Sequence, residues 1–328
     1  MMRIKKWRCY CIVVMALFMV FSFVGLGSSA EKWPAKQIQL VIGFNPGDTD
    51  NILRPFVEKL PDYLGQPISF IYKPGAAGAI GAKFVAGSKP DGYTWLGTSQ
   101  SSLSIVPLSQ KDSGYTWESF EPICYMSEST YVIAVRSDSP WKTLKDLVDD
   151  AKKNPGKISF TTSGTFGLPH MCGELFFREA GIKLNHIPSA GSNPGVMAVL
   201  GGHVDVLSIP VTALIAHVKA GKLRMLASYA SKRNKVAEDT PTCLELGFKT
   251  NIDVLVGISA AKGTPKEIIN QIDGAVQKVI QNQKPFLLER LDAMGQNLNY
   301  GGPAAYAALL KRNNELFRPL VAELEVHK

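Results

Sequence analysis

The sequence predicts an α/β protein built from two lobes. Short apolar runs that end in loops rich in glycine, proline and serine alternate with segments whose apolar residues recur at helical spacing, which is typical of strands and helices around a parallel sheet. This pattern begins at Ile38 and begins again at Tyr131. The length of 328 residues also suits two domains of about 100–200 residues. We therefore expect each lobe to be a mainly parallel sheet flanked by helices.

The first lobe opens with the most apolar run of the chain after the leader. Residues 38–44 are almost all hydrophobic, which predicts a central strand buried on both faces. The turn and capping residues 45–50 follow, and a helix with apolar positions from Ile52 to Leu64 comes next, bent or shortened by its two prolines. Further elements predicted in this lobe are the strand 68–72, the loop 73–78, the short helix 79–86 and the strand 93–98.

The second lobe is predicted to start with the strand 131–135 and to use the same units. Its further strands are expected at 157–161, 204–208 and 223–228. The strand 254–260 returns the chain to the first lobe, where the C-terminal helices pack on it. Lobe one is therefore expected to contain residues 31–130 and 254–328, and lobe two residues 131–253, with two crossing segments between them.

Composition and charge exclude several classes of protein. The formal net charge is +8, but four basic residues lie within the first eight positions and no nucleic-acid-reading motif accompanies the rest, so we expect no nucleic-acid partner. A mean hydropathy of +0.03 is too low for a protein with several membrane spans. Spacings typical of zinc ligands, acidic metal loops or nucleophile elbows do not occur. We expect no metal, no cofactor and no catalytic residue.

Residues 1–30 have the order of a secretory signal peptide, with a basic head, an apolar run from Ile12 to Leu26 and small residues up to Ala30. The run is shorter than the about 20 apolar residues that span a membrane. We predict cleavage near Ala30 and a periplasmic or otherwise extracytoplasmic mature protein, with an uncleaved anchor as the alternative.

Cleavage at that point leaves three cysteines, Cys124, Cys172 and Cys243. They lie too far apart in sequence for a zinc site. Two of them could form a disulfide in an exported protein, and sequence cannot choose the pair; buried thiols are the favoured interpretation.

Three loops that follow predicted strands are candidate anion sites: 45–50, 75–78 and 163–167. Ligands of α/β sheets bind beyond the carboxyl ends of the strands. The start of a helix exposes unpaired N–H groups and a partial positive charge, so it can hold an anion without an arginine. Glycines in any one loop can instead serve only a tight turn. The glycine spacing matches neither the dinucleotide nor the phosphate-loop pattern, so nucleotide binding is not expected.

Motifs in a fixed order along the mature chain carry a family resemblance. They are Trp33-Pro34, Phe44-x-Pro-Gly47, Gly65-Gln66-Pro67, Lys73-Pro74-Gly75-Ala-x-Gly78-x-Ile-Gly81, Pro90-Asp91-Gly92-Tyr93-Thr94, Ser163-Gly164 with His170, Leu200-Gly201-Gly202-His203-Val204-Asp205, Asp239-Thr240-Pro241-Thr242 with Glu245-Leu246-Gly247, and Gly263-Thr264-Pro265-Lys266-Glu267. The chain resembles the Bug family, the substrate-binding receptors of tripartite tricarboxylate transporters.

The resemblance implies a two-lobed periplasmic-binding-protein fold and a receptor, not an enzyme, that captures a small carboxylate and delivers it to membrane transporter subunits. We expect a monomer. A sensory module for a membrane kinase and a secreted α/β enzyme acting on an organic acid are the alternatives. The ligand contacts expected from the strand ends and the resemblance are Phe44, Gly47, Asp48, Thr49, Ala77, Gly78, Ser101, Ser163, Gly164, Thr165, Phe166 and Asp205.

Several of these positions have more than one interpretation. Asp205 lines the cleft or caps a turn, and His170 is expected to brace the Ser-Gly loop. The family's first loop usually reads Pro-Gly-Gly-Gly-Thr-Asp, whereas here Asp48 and Asp50 bring two negative charges. Either both cap the helix and face solvent, or the ligand brings a positive or hydrogen-donating group. With Phe166 as an added aromatic face, we expect a preference for an aromatic or amino-bearing carboxylate over citrate.

Overall fold

A computed structural model of the protein describes residues 32–47, 49–110 and 112–326. The chain divides into one unit that ends at Ala35 and a second that begins at Lys36, and every element named below belongs to the second. The predicted signal peptide, residues 1–30, and the candidate residue Asp48 lie outside the described ranges. Among the described helices, none combines the length and the apolar character needed to cross a membrane.

The described strands form two sheets. They are β1 (Ile38–Ile42), β2 (Ile68–Tyr72), β3 (Thr94–Ser99), β4 (Phe120–Ser129), β5 (Tyr131–Arg136), β6 (Ser159–Thr161), β7 (Asn185–His186), β8 (Val206–Pro210), β9 (Leu223–Ser228), β10 (Val254–Ala261) and β11 (Asn297–Gly301). One sheet has six strands in the order β11-β4-β10-β3-β1-β2, and the other has five in the order β7-β6-β8-β5-β9. The predicted α/β architecture with two sheets is confirmed.

Helices connect most of the strands. They are α1 (Thr49–Val57), α2 (Pro61–Leu64), α3 (Ala79–Ala86), α4 (Gln100–Ser104), α5 (Val106–Ser109), α6 (Leu144–Lys153), α7 (Leu168–Ala180), α8 (Ser192–Leu200), α9 (Ile215–Lys219), α10 (Lys266–Asn282), α11 (Lys284–Ala293) and α12 (Pro303–Val326). The predicted helix from Ile52 to Leu64 is divided into α1 and α2, because Pro61 starts a new helix.

Both sheets are mixed, but most strands of each sheet point the same way, which agrees with the expectation of mainly parallel sheets. β1 pairs in parallel with β2 and β3, as predicted for the central strand. β10, however, runs antiparallel to both β3 and β4, and β5 runs antiparallel to β8 and β9. β4 leads the chain out of the first sheet into β5, and β10 brings it back, so β4 and β10 run in opposite directions where they pair.

The two crossing segments are tied to both sheets by buried polar side chains. β4 passes into β5 through Thr130, whose Oγ1 accepts a hydrogen bond from Asn234 Nδ2 at 2.9 Å. The same amide nitrogen lies 3.3 Å from the carbonyl oxygen of Gly295, which precedes β11. The return segment contains Asp253, whose carbonyl accepts a hydrogen bond from Gln100 Nε2 at 2.6 Å. These bonds hold both crossings to fixed neighbours.

Helix α12 is a further link between the sheets that sequence reasoning did not predict. Its first half places Tyr306 and Leu310 in a hydrophobic cluster with residues of β1 and β3. Its second half adds Phe317, Leu320 and Val321 to the cluster formed mainly by the second sheet and its helices. The helix therefore buries surface against both sheets, although the predicted boundaries assign it to lobe one alone.

The three described cysteines are buried free thiols. This confirms the buried-thiol interpretation over a disulfide. Burial raises the pKa of all three, in the case of Cys243 to about 12. A thiolate is the reactive form of cysteine, so these side chains are chemically inert in the folded protein.

Candidate ligand-binding loops

The loop after β1 contains a carboxylate that caps the start of α1. Gly47 has a φ of +102°, and its N–H donates a hydrogen bond to Asp50 Oδ1 at 2.8 Å. The carbonyl of Gly47 accepts a hydrogen bond from Asn51 Nδ2 at 3.1 Å. The expected ligand contact through the Gly47 N–H therefore needs correction, because this donor is already used inside the loop.

Asp50 is buried with a charged partner. Its Oδ2 accepts hydrogen bonds from Tyr72 OH at 2.9 Å and from Arg54 Nη2 at 3.0 Å. Burial alone would raise the pKa of the Asp50 carboxyl, but the hydrogen bonds from Gly47, Tyr72 and Arg54 outweigh it, and the pKa is lowered. Asp50 is thus a helix cap, as expected, but it faces the protein and not solvent, and Arg54 offsets its charge.

The first two candidate loops touch through their backbones. A Cβ atom built on Gly43 would lie 2.8 Å from Gly78 Cα, and one built on Gly81 would lie 2.8 Å from Gly43 Cα. A Cβ on Gly78 would lie 2.6 Å from Ser102 Oγ and 3.1 Å from Phe44 Cζ. The structure therefore brings the loops after β1, β2 and β3 to one place, as the sequence predicts for strands whose carboxyl ends share an edge.

The turn 75–78 has positive φ at every position: Gly75 at 127°, Ala76 at 48°, Ala77 at 53° and Gly78 at 90°. Left-handed backbone costs about 1–2 kcal/mol for a residue other than glycine. Ser102 Oγ donates to the carbonyl of Ala77 at 3.1 Å and helps to hold this conformation. Strained turns of this kind often mark binding sites.

The third candidate loop joins β6 to α7. Thr162 and Phe166 are buried, whereas Ser163 and Gly164 are half-buried and Thr165 is exposed. Thr162 Oγ1 donates to the carbonyl of Gly164 at 2.9 Å. The accessible part of the loop is therefore held between two buried residues, directly before the start of α7.

Phe166 does not offer the aromatic face that we expected toward a ligand. Its side chain is 9% exposed and belongs to the hydrophobic cluster of the second sheet. Its ring packs edge-to-face on His170, with ring centroids 5.9 Å apart. A φ of +59° turns this residue inward, and Gly would leave the core position empty.

Asp205 lies at the wrong end of its strand for a ligand contact. Its Oδ2 accepts hydrogen bonds from Ser159 N–H at 2.8 Å and from Ser159 Oγ at 2.6 Å. Ser159 begins β6, whereas the candidate loop follows the other end of β6. The capping interpretation of Asp205 therefore holds, and the cleft interpretation does not.

Sequence reasoning chose Ser101 and missed its neighbour Ser102. Ser101 Oγ lies 2.8 Å from Ser99 Oγ, whereas Ser102 contacts the turn 75–78. Gly43 and Gly81 were also missed as contact points. The regular spacing of Gly75, Gly78 and Gly81 was a signal that these glycines have a common packing role.

Helix α4 also contacts the second sheet's core. Ile105, at the end of α4, belongs to the same hydrophobic cluster as Phe166 and Leu168. The candidate residues of the two sheets are therefore connected through one continuous core. Within the described ranges, no group of three or more His, Cys, Asp or Glu side chains could hold a metal ion.

Two α/β sheets joined by crossing strands, with glycine-rich loops at the carboxyl ends of their strands, define a two-lobed periplasmic binding protein. The chain belongs to the tripartite tricarboxylate transporter family receptors, whose family model matches residues 52–325. The resemblance to Bug proteins is also confirmed. BugT of Bordetella pertussis is 31% identical over 278 residues, which are 83% of this chain and 85% of that protein.

Solved structures have the same fold. The periplasmic binding protein BugD is 30% identical with a TM-score of 0.73, and the match covers 89% of this chain and 98% of BugD. An R. palustris protein solved with adipate is 24% identical with a TM-score of 0.75, over 89% of this chain and 97% of that one. BugD is a periplasmic binding protein, and this chain is a receptor of the tripartite tricarboxylate transporter family.

Proposed function

We propose that this receptor captures a small organic dicarboxylate between its two lobes outside the cytoplasm and delivers it to the membrane subunits of a tripartite tricarboxylate-type transporter. The observation that carries the proposal is the convergence of Phe44, Gly78 and Ser102, where loops from three neighbouring strands meet. The bound adipate of the R. palustris structural neighbour supports a carboxylate as the ligand class.

We propose lobes with the boundaries expected from the sequence, residues 31–130 with 254–328 and residues 131–253. The proposed contact residues are Phe44, Asp48, Thr49, Ala77, Gly78, Ser101, Ser163, Gly164 and Thr165, and the buried Ser102 supports the turn 75–78 from behind. Three residues are left out of this set. The Gly47 N–H is used inside the first loop, and the Phe166 ring is buried in the core. Asp205 lies at the other end of its strand, where it caps Ser159. Backbone N–H groups of these loops suit a carboxylate because they donate hydrogen bonds without adding a competing charge.

Asp48 decides the ligand class in this proposal. Two like charges about 4 Å apart cost about 4 kcal/mol at an effective dielectric of 20, and a helix start returns only about 0.3–1 kcal/mol. Asp50 is offset by Arg54, so Asp48 is the remaining negative charge of the first loop. We propose that the ligand carries an amino group that offsets the charge of Asp48; the buried Phe166 gives no support to an aromatic ligand.

The remaining expectations follow from the family. We infer that the protein binds its ligand without converting it, acts as a monomer, and loses residues 1–30 on export. The family and the fold support a periplasmic location. An enzyme would consume its ligand during incubation, whereas a receptor would release it unchanged. Recovery of the ligand therefore distinguishes the two.

Titration calorimetry of residues 31–328 against glutamate, adipate and citrate tests the proposal. We expect one site per chain, tighter binding of glutamate than of citrate, and recovery of the ligand unchanged after prolonged incubation. Asp48→Gly should weaken glutamate and improve adipate, while Asp205→Ala serves as the control outside the site. Binding of none of the three, or conversion of any of them, would contradict the proposed function.

A further inference from the structure

Two histidines lie directly behind the accessible part of the third candidate loop. His170 belongs to α7 and His186 to β7. Their rings stack with centroids 3.9 Å apart and an interplanar angle of 17°. The ring of Phe160 packs against both, at 6.0 Å from His170 and 4.7 Å from His186. This places two titratable rings in a layer of aromatic core.

His170 holds the far side of the loop through one ring nitrogen. The backbone N–H of Phe166 donates a hydrogen bond to His170 Nδ1 at 3.1 Å. A ring nitrogen that accepts a hydrogen bond carries no proton, so the neutral ring must carry its proton on Nε2. Nε2 lies 3.5 Å from Glu174 Oε1, the charged group that faces it. The acceptor at Nδ1 stabilises Phe166 in its left-handed conformation.

His186 holds the near side of the loop through its other nitrogen. Thr162 Oγ1 has a single hydrogen, which it donates to the carbonyl of Gly164. Toward His186 Nε2, at 2.9 Å, the hydroxyl must therefore accept, so His186 carries its proton on Nε2. Burial, with the neighbouring His170, lowers the pKa of His186 to about 3, which keeps this ring neutral.

We propose that His170 and His186 are positioning residues for the carboxylate site, which act through Phe166 and Thr162 to fix the backbone of residues 163–165. This inference rests on the proposed function of the loop. Both rings are neutral and carry their proton on Nε2. His170 Nδ1 can therefore accept the hydrogen bond from Phe166, and His186 Nε2 can donate one to Thr162. The histidines do not touch the ligand; they determine where the loop's N–H groups point.

The alternative is that the two rings serve only as core packing. The two roles differ in which substitution each position tolerates. Asparagine places its amide near the position of a histidine Nδ1, and glutamine places its amide near Nε2. Positioning predicts that His170→Asn and His186→Gln keep the loop bond, whereas His170→Gln and His186→Asn lose it. If the rings serve only as core packing, the same residue, either asparagine or glutamine, should give the tighter ligand binding at both positions.

The four variants are compared by calorimetry with glutamate as the probe and by thermal unfolding. The two variants that lose the bond should bind about tenfold more weakly than their matched partners, which is the effect of one lost hydrogen bond. Rescue by asparagine at 170 and by glutamine at 186 supports the proposal. The same order of affinity at both positions, or equal affinities within each pair, overturns it.

A ligand-free measurement separates this inference from the proposed function. Long-range ¹H–¹⁵N NMR spectra of the imidazole rings identify the protonated nitrogen of each histidine. Protons on Nε2 of both rings at neutral pH support the positioning role, and a proton on Nδ1 of either ring overturns it. If the wild type binds no glutamate, the ligand assignment fails, and the tautomers still decide whether the histidines hold the loop.

Discussion

Gly43 and Gly78 lie against each other with no space for a side chain, because a Cβ on Gly43 would come within 2.8 Å of both the Cα and the carbonyl oxygen of Gly78. Real Cβ atoms do not approach backbone atoms so closely, so a larger residue at either position must separate the two loops. The contact explains why glycine is needed at position 43, where no unusual backbone angle requires it.

Gly43→Ala is therefore expected to destabilise the protein by about 1–3 kcal/mol, the usual cost of forcing extra volume into packed surroundings. Ligand affinity should fall as well, because the loops after β1 and β2 separate. Gly274→Ala is the control: this glycine lies within α10 with open space around its Cβ position, and alanine should add about 0.5–1 kcal/mol of stability. Urea unfolding measures both, and equal effects would contradict the prediction.

Asp50→Asn should lower the free energy of unfolding at pH 7 by about 1.5–3 kcal/mol, the range for hydrogen bonds to a charged group. The lowered pKa of Asp50 means that its stabilisation is present above the unfolded pKa of about 3.9 and is lost as pH falls through the folded pKa. The difference between wild type and variant should therefore shrink toward pH 3. Urea unfolding at several pH values measures it.

The exposed Asp62 in the first turn of α2 provides the control for that experiment. Asp62→Asn should change stability by less than Asp50→Asn at pH 7. A wild-type advantage over Asp50→Asn that stays constant from pH 7 to pH 3 would show that the carboxylate charge has no role in the cap.

The three buried thiols should be unreactive in the native protein. Because burial raises the pKa of Cys243 to about 12, almost no thiolate exists at neutral pH. We expect a thiol reagent such as DTNB to label none of them until denaturant is added, and then to label three. Labelling of five would mean that Cys9 and Cys11 of the leader are still present, and labelling of one would mean that a disulfide has formed.

Phe317→Ala should destabilise the protein by about 3–5 kcal/mol, as expected for a large side chain deleted from a core. Phe317 is fully buried in the second sheet's cluster although it lies on the C-terminal helix. An exposed ion pair between Arg178 of α7 and Glu323 of α12, at 3.0 Å, also joins the C-terminal helix to the second sheet's helices. Arg178→Ala should cost less than about 1 kcal/mol. A larger loss of stability in Arg178→Ala than in Phe317→Ala, measured by urea unfolding, would contradict this prediction.

Asp205→Ala should leave ligand affinity unchanged while it lowers stability slightly, because its carboxylate caps Ser159 at the start of β6. Ser159→Ala removes the hydroxyl partner and keeps the backbone N–H partner, so the double variant should cost less than the sum of the two single ones. Calorimetry and urea unfolding of the three variants test this. A clear loss of affinity in Asp205→Ala alone would return this residue to the ligand site.

Local sequence patterns predicted the regular elements well. The strands 68–72 and 223–228 and the helix 79–86 have the predicted bounds, since hydrophobic periodicity and flanking turn residues are encoded within each segment. β4 was missed because its second half carries Ser127, Glu128 and Ser129. These polar residues are buried, and sequence periodicity cannot show that β10 and β11 cover them.

The candidate site divides in the same way. Its loops, and the edge where they meet, were predictable because glycines, turn residues and strand ends are local features, and parallel neighbours place their ends together. The direction of individual side chains was not. The ring of Phe166 points into the core because its backbone is held by His170, and Asp205 caps Ser159 because β6 and β8 are neighbours.

The sequence by itself determined the α/β class, many of the local strands and helices, such as β2, β9 and α3, and the family resemblance. The tertiary structure decided which strands are antiparallel, that α12 joins the two cores, and which glycines and histidines shape the loops. The physical reason is range. Propensity and periodicity act over a few residues, whereas contacts such as Gly43 with Gly78 or His186 with Thr162 exist only after distant segments pack together.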